Sequence, residues 1–544
     1  MFLASSMTIV AASEQVLAPT AGSRILQPGP GPLSRLLEVA DSAIADTRLD
    51  WPALRAFYSR TAFNPVWTDG KRVLARARDA TEILAESDRH GLYPDEYHVR
   101  DIESRLQADA QTELHSLELL LTDGLLKYIS HISGGRLDSA ADPTWLIRKT
   151  PVDAGTVLAA ALASGSLATR LEALSSRRQE YTRLGQLLAA YRSLASTGGW
   201  PLVPYGPRLE AGMQDHRISI LRQRLMLSGD LSDYDYDNTF LFDPVLTSAV
   251  EEFQARHGLL VDGVVGKLTL AALNVPIETR IQQIMLNMER WRWLPRDLGA
   301  RYLLVNMAGF YLQVVEDDRH VIDMRVIIGR PYRSTPAFIA DLTHIVLNPY
   351  WNVPHKLAVE DLLPKQVADP EYFGKQGIRV YADWSAGAAE LDSGEISWSE
   401  VNKYNFPYRL RQQPGKLNSL GRIKFMLPNP YAVYLHDTPS RHLFNNPVRM
   451  FSSGCIRVEE PIRLASYLLR DKDGWSGAGV QQAIDSEKNQ AVTLPRKLPV
   501  YLIYLTTWVD DQGKAQFRDD VYGRDALVQL AWQASPAQAR SLAE

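Results

Sequence analysis

The hydrophobic period of this chain changes once, near residue 300, and that change limits the folds open to it. Upstream, apolar residues recur at helical spacing: Leu117, Leu120, Leu121, Gly124, Leu125 and Tyr128 share one face, and residues 171–194 repeat the pattern. Downstream the period is two. Residues 302–306 and 310–315 flank Ala308-Gly309, a hairpin signal, and further strands are predicted at 324–328, 344–347, 431–435 and 500–506. At 544 residues the chain is too long for a single core. The expected fold class is multidomain α+β, with helical N-terminal parts followed by a β-rich, antiparallel domain.

Boundaries follow from composition. Residues 1–34 read as a signal-like segment and linker: residues 2–12 are apolar, Val10-Ala11-Ala12 suits a cleavage site, and residues 17–32 are rich in Pro, Gly, Ser and Ala. The basic stretch that should precede a signal is missing, so a processed signal or anchor and a plain tail both stay open. Residues 35–200 are expected to form a helical scaffold with no nucleophile–base arrangement. Within 204–276, Ile218, Leu221 and Leu225 form one helical face, Leu246, Ala249, Val250 and Phe253 a second, and Leu268, Ala271 and Ala272 a third. Gly258 reads as a helix stop, Asp262-Gly263 as a tight turn, and Thr269 as part of the last helix's opening turn. This FQ…HGL…DG…G…T…ALN pattern resembles the three-helix peptidoglycan-binding module of cell-wall enzymes; a helical spacer without glycan affinity is the alternative. Residues 277–300 are expected as a linking helix with Ile281, Ile284, Met285, Met288 and Trp291 on its apolar side. Residues 301–525 hold the β-rich domain, interrupted at about 357–420 by an aperiodic stretch expected to act as a lid or substrate wall, and 526–544 form a tail.

A formal net charge of -4 and no basic stripe exclude nucleic acid or an anionic membrane surface as the main partner. Past the first segment no apolar run is long enough to span a membrane. His436 and His442 are not accompanied by a Cys/His cluster or an H-E-x-x-H motif, so neither a metal nor a cofactor is expected.

The chemistry concentrates on Cys455, the one cysteine of the chain, in Ser452-Ser453-Gly454-Cys455-Ile456-Arg457. A thiol without a partner in its own chain is an inert buried residue or a nucleophile. A glycine directly before it suits a sharp turn that exposes sulfur, and the Gly454 and Cys455 amides are natural oxyanion donors. In Tyr431-Ala432-Val433-Tyr434-Leu435-His436, alternation puts Tyr434 and His436 on one strand face. An imidazole can take the thiol proton, and as imidazolium it would lower the thiol pKa. Arg457, two residues past the thiol, shares its face if the strand is extended, and its planar fork suits a carboxylate. Asp437 is expected as a turn residue facing away from His436, and Ser334-Thr335-Pro336 as a turn without chemistry. Tyr350 and Trp351 are candidates for the cleft wall or for plain packing.

His436 followed by Ser-x-Gly-Cys-x-Arg resembles the signature of the L,D-transpeptidase (YkuD) catalytic domain. With the scaffold, the binding module and the long insertion, the chain is similar to the large, YcbB-type branch of that family. The resemblance implies acyl transfer in the cell envelope or periplasm, possible inner-membrane association, peptidoglycan stem peptides and glycan as partners, and inhibition by carbapenem-type β-lactams. It implies Cys455 as nucleophile, His436 as base and then acid, and Arg457, Gly454, Ser453 and Tyr434 as substrate, oxyanion or orienting groups. The product would be a 3→3 crosslink in cell-wall biogenesis and the maintenance of cell shape. An L,D-carboxypeptidase using water and a non-catalytic wall-binding scaffold are the alternatives. Smaller relatives carry His where this chain has Ser453, which leaves the group orienting His436 open between a backbone carbonyl and Tyr434.

Overall fold

The computed structural model describes residues 32–39, 49–107, 110–175, 178–232 and 239–534. Most of the expected signal-like segment, and the tail from residue 535, lie outside the described residues.

The helix Gln111–Gly134 buries Leu117, Leu120, Leu121, Leu125 and Tyr128 as its spacing requires, against Leu54, Phe57, Trp67 and Leu84. A side chain at Gly124 would meet the Tyr97 carbonyl at 2.6 Å, so the close helix–loop approach there needs glycine. This core ends at Leu174. The helical pattern expected over 171–194 is broken into Leu167–Glu172 and Gln179–Ser196. The second of these faces Tyr181, Leu184 and Leu188 into a different core, the one that lines the β-sheet.

Three helices, Arg217–Leu227, Pro244–Arg256 and Lys267–Leu273, enclose a small core of their own. Gln254 organises its turn: Nε2 donates to Asp262 Oδ1 at 2.8 Å and to the Val264 carbonyl at 3.0 Å, while Oε1 accepts from the Gly263 amide. Gly263 sits at φ +68°, which the turn demands. The third face differs from expectation. Thr269, Leu270 and Leu273 point inward and Leu268 is 70% exposed, because the Thr269 hydroxyl is tied to Gln254 and the Val264 carbonyl.

The expected linking helix, Ile277–Arg292, is a core helix instead, buried from Ile284 through Arg292 on every side. Several of its polar residues are paired inside the protein, while among the described residues Arg290 Nε and Trp291 Nε1 are buried without a partner. Glu289 accepts from the Leu137 amide at 2.7 Å, from Trp293 Nε1 at 3.1 Å and from Arg292 at 2.6 Å; Arg290 pairs with Asp525.

In the β-rich part β1 is Arg301–Asn306, β2 Tyr311–Glu316, β3 Arg319–Gly329 and β4 Phe338–Leu347. An inserted unit follows with β5 Trp351–Asn352, β6 Ile378–Tyr381, β7 Glu390–Leu391 and β8 Arg409–Gln412. The chain returns with β9 Ile423–Met426, β10 Leu435–His436, β11 Met450–Ser452, β12 Ile456–Val458 and β13 Gln490–Ile503, then the hairpin β14 Thr507–Val509 and β15 Ala515–Phe517. The main sheet runs β11-β3-β12-β10-β9-β4-β13-β1-β2, and β2 also pairs with β3, so the ladder closes. The sheet is mixed rather than antiparallel: β1–β13, β10–β12 and β3–β11 are parallel. Sequence periodicity reports faces, not strand direction, so this difference was invisible to it.

The insertion is a small folded unit. Its sheet, β5-β8-β6-β7, packs on Val353, Leu362, Leu363, Phe373, Trp398 and Leu410. Residues 526–533, expected as the start of a tail, continue the helix Arg524–Gln533, whose Val528 and Trp532 are buried. Arg136 of the first helical unit stacks 4.6 Å over Trp532 and donates to its carbonyl at 3.1 Å. Among the described residues no helix is long and apolar enough to cross a membrane.

Candidate active site

Strand β10 is two residues long and lies between β9 and β12. Leu435 points to the core with its cross-strand partners Phe425 and Ile456. His436 therefore points the other way, in register with Lys424 on one side and Arg457 on the other. These three, with Tyr434, Ser453 and Cys455, line a cleft of about 680 Å³ whose far wall includes Trp351, Pro354, Leu357 and Leu362 of the insertion.

The strand expected over 431–435 is replaced up to Tyr434 by a turn built on Asn429. Its side chain accepts from the Tyr431 amide at 3.0 Å and donates to the Val433 carbonyl at 2.7 Å, and Ala432 takes φ +55°. Tyr434 and His436 still share a face, with ring centroids 5.7 Å apart and edge-to-face.

Cys455 follows Gly454, whose φ of +115° only glycine adopts readily. Four contacts hold this turn: Thr335 Oγ1 donates to the Gly454 carbonyl at 2.8 Å and accepts from the Gly329 amide at 3.0 Å, Ser452 Oγ donates to the Cys455 carbonyl at 2.5 Å, and the Gly454 amide donates to Ser452 Oγ at 3.2 Å. Of the two amides expected as oxyanion donors, Gly454's is thus engaged within the turn. Thr335, to which sequence assigned no chemistry, is the buried peg of the Cys455 loop. A side chain at Gly329 would strike the Arg333 carbonyl at 2.2 Å and the Gly454 Cα at 3.1 Å, so the loop packs against bare backbone.

The thiol reaches the Ala432 carbonyl at 3.8 Å and is hydrogen-bonded by the Tyr434 hydroxyl and amide. Burial raises its pKa, against the lowering effects of Tyr434, Lys424 and Arg457. Burial and then the Arg457 charge push His436 down to about 3; the carbonyls of Asp437 and Leu420 oppose this and lose. His436 Nδ1 lies 2.5 Å from the Asp437 carbonyl, which can only accept, so Nδ1 carries the ring proton and Nε2 keeps its lone pair. A backbone carbonyl is thus the group that orients the imidazole. Both shifts favour the neutral thiol and the neutral imidazole, the form in which an imidazole can take a thiol proton.

Asp437 faces away from the thiol, as expected. Its carboxylate accepts from the Arg422 amide at 2.8 Å and from Arg441 at 2.8 Å. Arg457 pairs with no carboxylate among the described residues, and its buried Nε has no partner. Ser453 points at the insertion: Arg333 donates to its hydroxyl at 3.0 Å, to Asp361 at 2.6 Å and to Glu360 at 2.6 Å. Sequence reasoning missed Lys424, Arg333 and Arg330 because each lies on a segment joined to the site only by the fold.

Residues 300–484 match the family described as "L,D-transpeptidase catalytic domain", 52–188 the "Scaffold domain", and 216–273 the "Putative peptidoglycan binding domain". A relative from Haemophilus influenzae, described as "Putative L,D-transpeptidase", is 37% identical over 250 residues, 46% of this chain and 49% of that one. The chain thus spans about half the length of that relative. Among solved structures, an L,D-transpeptidase from Xylanimonas cellulosilytica is 17% identical, covering 55% of this chain and 99% of that one, with a TM-score of 0.17. One from Mycobacterium smegmatis is 11% identical, covering 38% and 58%, also with a TM-score of 0.17. The chain carries an L,D-transpeptidase catalytic domain of the YkuD family, joined to a scaffold domain and a peptidoglycan-binding domain.

Proposed function

We propose that the protein is a cysteine-dependent L,D-transpeptidase that acts on peptidoglycan in the cell envelope, forming 3→3 crosslinks. The observation that carries this reading is the cross-strand row Lys424–His436–Arg457 on the cleft floor that Cys455 also lines. As Sγ attacks the carbonyl before the terminal D-alanine of a stem tetrapeptide, neutral His436 takes the thiol proton. The tetrahedral intermediate collapses when the imidazolium returns that proton to the departing amine, leaving a thioester. An amine of a second stem attacks the thioester, His436 takes its proton, and the sulfur leaves to be reprotonated. Arg457, with no carboxylate of its own, receives a donor carboxylate. Tyr434 holds sulfur in line, and the Cys455 amide serves the oxyanion, joined by that of Gly454 once substrate displaces its 3.2 Å bond to Ser452.

The test is incubation of the full chain with a disaccharide-tetrapeptide and mass analysis of products. Dimers joined 3→3, abolished in Cys455→Ser, are expected; tripeptides alone would mean that water is the acceptor and the enzyme a carboxypeptidase. Incubation with a carbapenem should add the drug's mass to wild-type protein only, and a wild-type chain that stays unmodified would remove the acyl-enzyme from the account.

A further inference from the structure

Lys424 has no carboxylate partner among the described residues. Its Nζ lies 3.9 Å from the centroid of the Tyr434 ring, the side chain that hydrogen-bonds the Cys455 sulfur, and it opens on the same cleft. The register puts it directly across from His436. No described carboxylate pairs with it, and Asp361, the acid that lines the same cleft, is held by Arg333. Desolvating an ammonium group without a counter-ion is costly, so its retention needs a compensating anion at some stage of the cycle. Two anions arise within this pocket during acyl transfer: the thiolate as the sulfur loses its proton, and the oxyanion on the substrate carbonyl oxygen as the C–S bond forms and the π bond breaks. The neutral imidazole supplies no positive charge before attack. We propose that Lys424 is the fixed cation that stabilises the Cys455 thiolate, acting beside the face of Tyr434. The proposal rests on the reading of Cys455 as nucleophile.

The charged and titratable groups that line the cleft with the sulfur are Tyr431 and Tyr434 from the turn before β10, His436 from β10, Lys424 from β9, Arg457 from β12, Arg330, Tyr332 and Arg333 from the loop after β3, and Lys356, Asp361 and Lys365 from the insertion. Arg333 is already neutralised by two carboxylates, and Arg457 is the one the donor carboxylate would neutralise. Arg330 is turned to the Tyr332 hydroxyl at 3.1 Å, and of the cations in the cleft Lys424 and Arg457 are the two whose charges act on the thiol, so Lys424 serves the sulfur once donor is bound.

Because the chain has one cysteine, alkylation by iodoacetamide reports that thiol alone. The experiment follows alkylation rate against pH for the full wild-type chain, Lys424→Met, which keeps the stem without the charge, and Lys424→Arg. Expected is a rise of about one unit in the midpoint for Lys424→Met, hence about a tenfold slower reaction below it, with Lys424→Arg near wild type. Turnover of disaccharide-tetrapeptide by Lys424→Met should fall about tenfold in kcat with KM little changed. An unmoved midpoint with a raised KM would overturn the proposal and make Lys424 a substrate-carboxylate site. If Lys424→Met loses its cooperative melting transition, Lys424→Gln serves as the second neutral variant under the same criteria. Failure of the nucleophile reading shows separately, as turnover that survives Cys455→Ser, since the midpoint is read without any turnover.

Discussion

At His436 the cost of desolvation decides the protonation state and therefore the pH response. The unfolded chain protonates this imidazole near pH 6.5, whereas the folded chain does so only near pH 3. Between those values the unfolded state holds more protons, so the site's contribution to stability falls as pH drops from about 6.5 toward 3. His436→Gln should flatten that slope, seen as a smaller loss of urea midpoint between neutral and acidic buffer than in wild type. Because the base is already neutral, kcat/KM should show no ionisation near pH 6.5, the free-imidazole value, on its acid side. A limb at that position would mean a charged imidazole at rest. The residues that the fold gathers in this cleft were legible because Gly454-Cys455-x-Arg457 and His436 are local patterns. The neutral pair was not, since its cause is burial contributed by strands far away in sequence.

Among the elements, the insertion is tied to the Cys455 loop through Arg333, which reaches Glu360, Asp361 and the Ser453 hydroxyl at once. The two acids are partly exposed, so solvent screening limits the worth of this clamp to about 1 kcal/mol. Arg333→Ala should leave the melting temperature of the main core nearly unchanged while hydrogen exchange across Leu363–Ala368 quickens about fivefold. Equal protection in both proteins would show that the apolar contacts of the insertion alone hold it in place. Sequence gave this unit no pattern because its strands are two to four residues long, too short for a period to register. The hairpin of β1 and β2 and the three-helix module were readable for the opposite reason: their turns and faces lie within a few residues of one another. Where a local turn competes with a strand, as at Asn429, alternation misled.

Across the whole molecule, one hydrophobic core runs from the helices Gln179–Ser196 and Ile277–Arg292 through the sheet to the C-terminal helix. Glu289 and Arg292 sit at its centre, both fully buried, and bridge to Leu137. Glu289→Gln leaves the guanidinium without its charge partner and should cost about 3 kcal/mol or more, read as a lower denaturant midpoint for the entire unit. A loss confined to one calorimetric transition would show that the helices and the sheet melt independently. Trp532→Ala removes the aromatic anchor under Arg136 and should cost about 3 kcal/mol, measured the same way. The same continuity decides what can be cut out and transplanted. The stretch 300–484, recognisable as a family, omits β13, which joins β1 to β4, and omits the helix that covers them. Excised at those limits it would have a split barrel and a bare apolar flank, so any transplant of this fold into another protein must carry residues from about Gln179 to Gln533 as one heritable block.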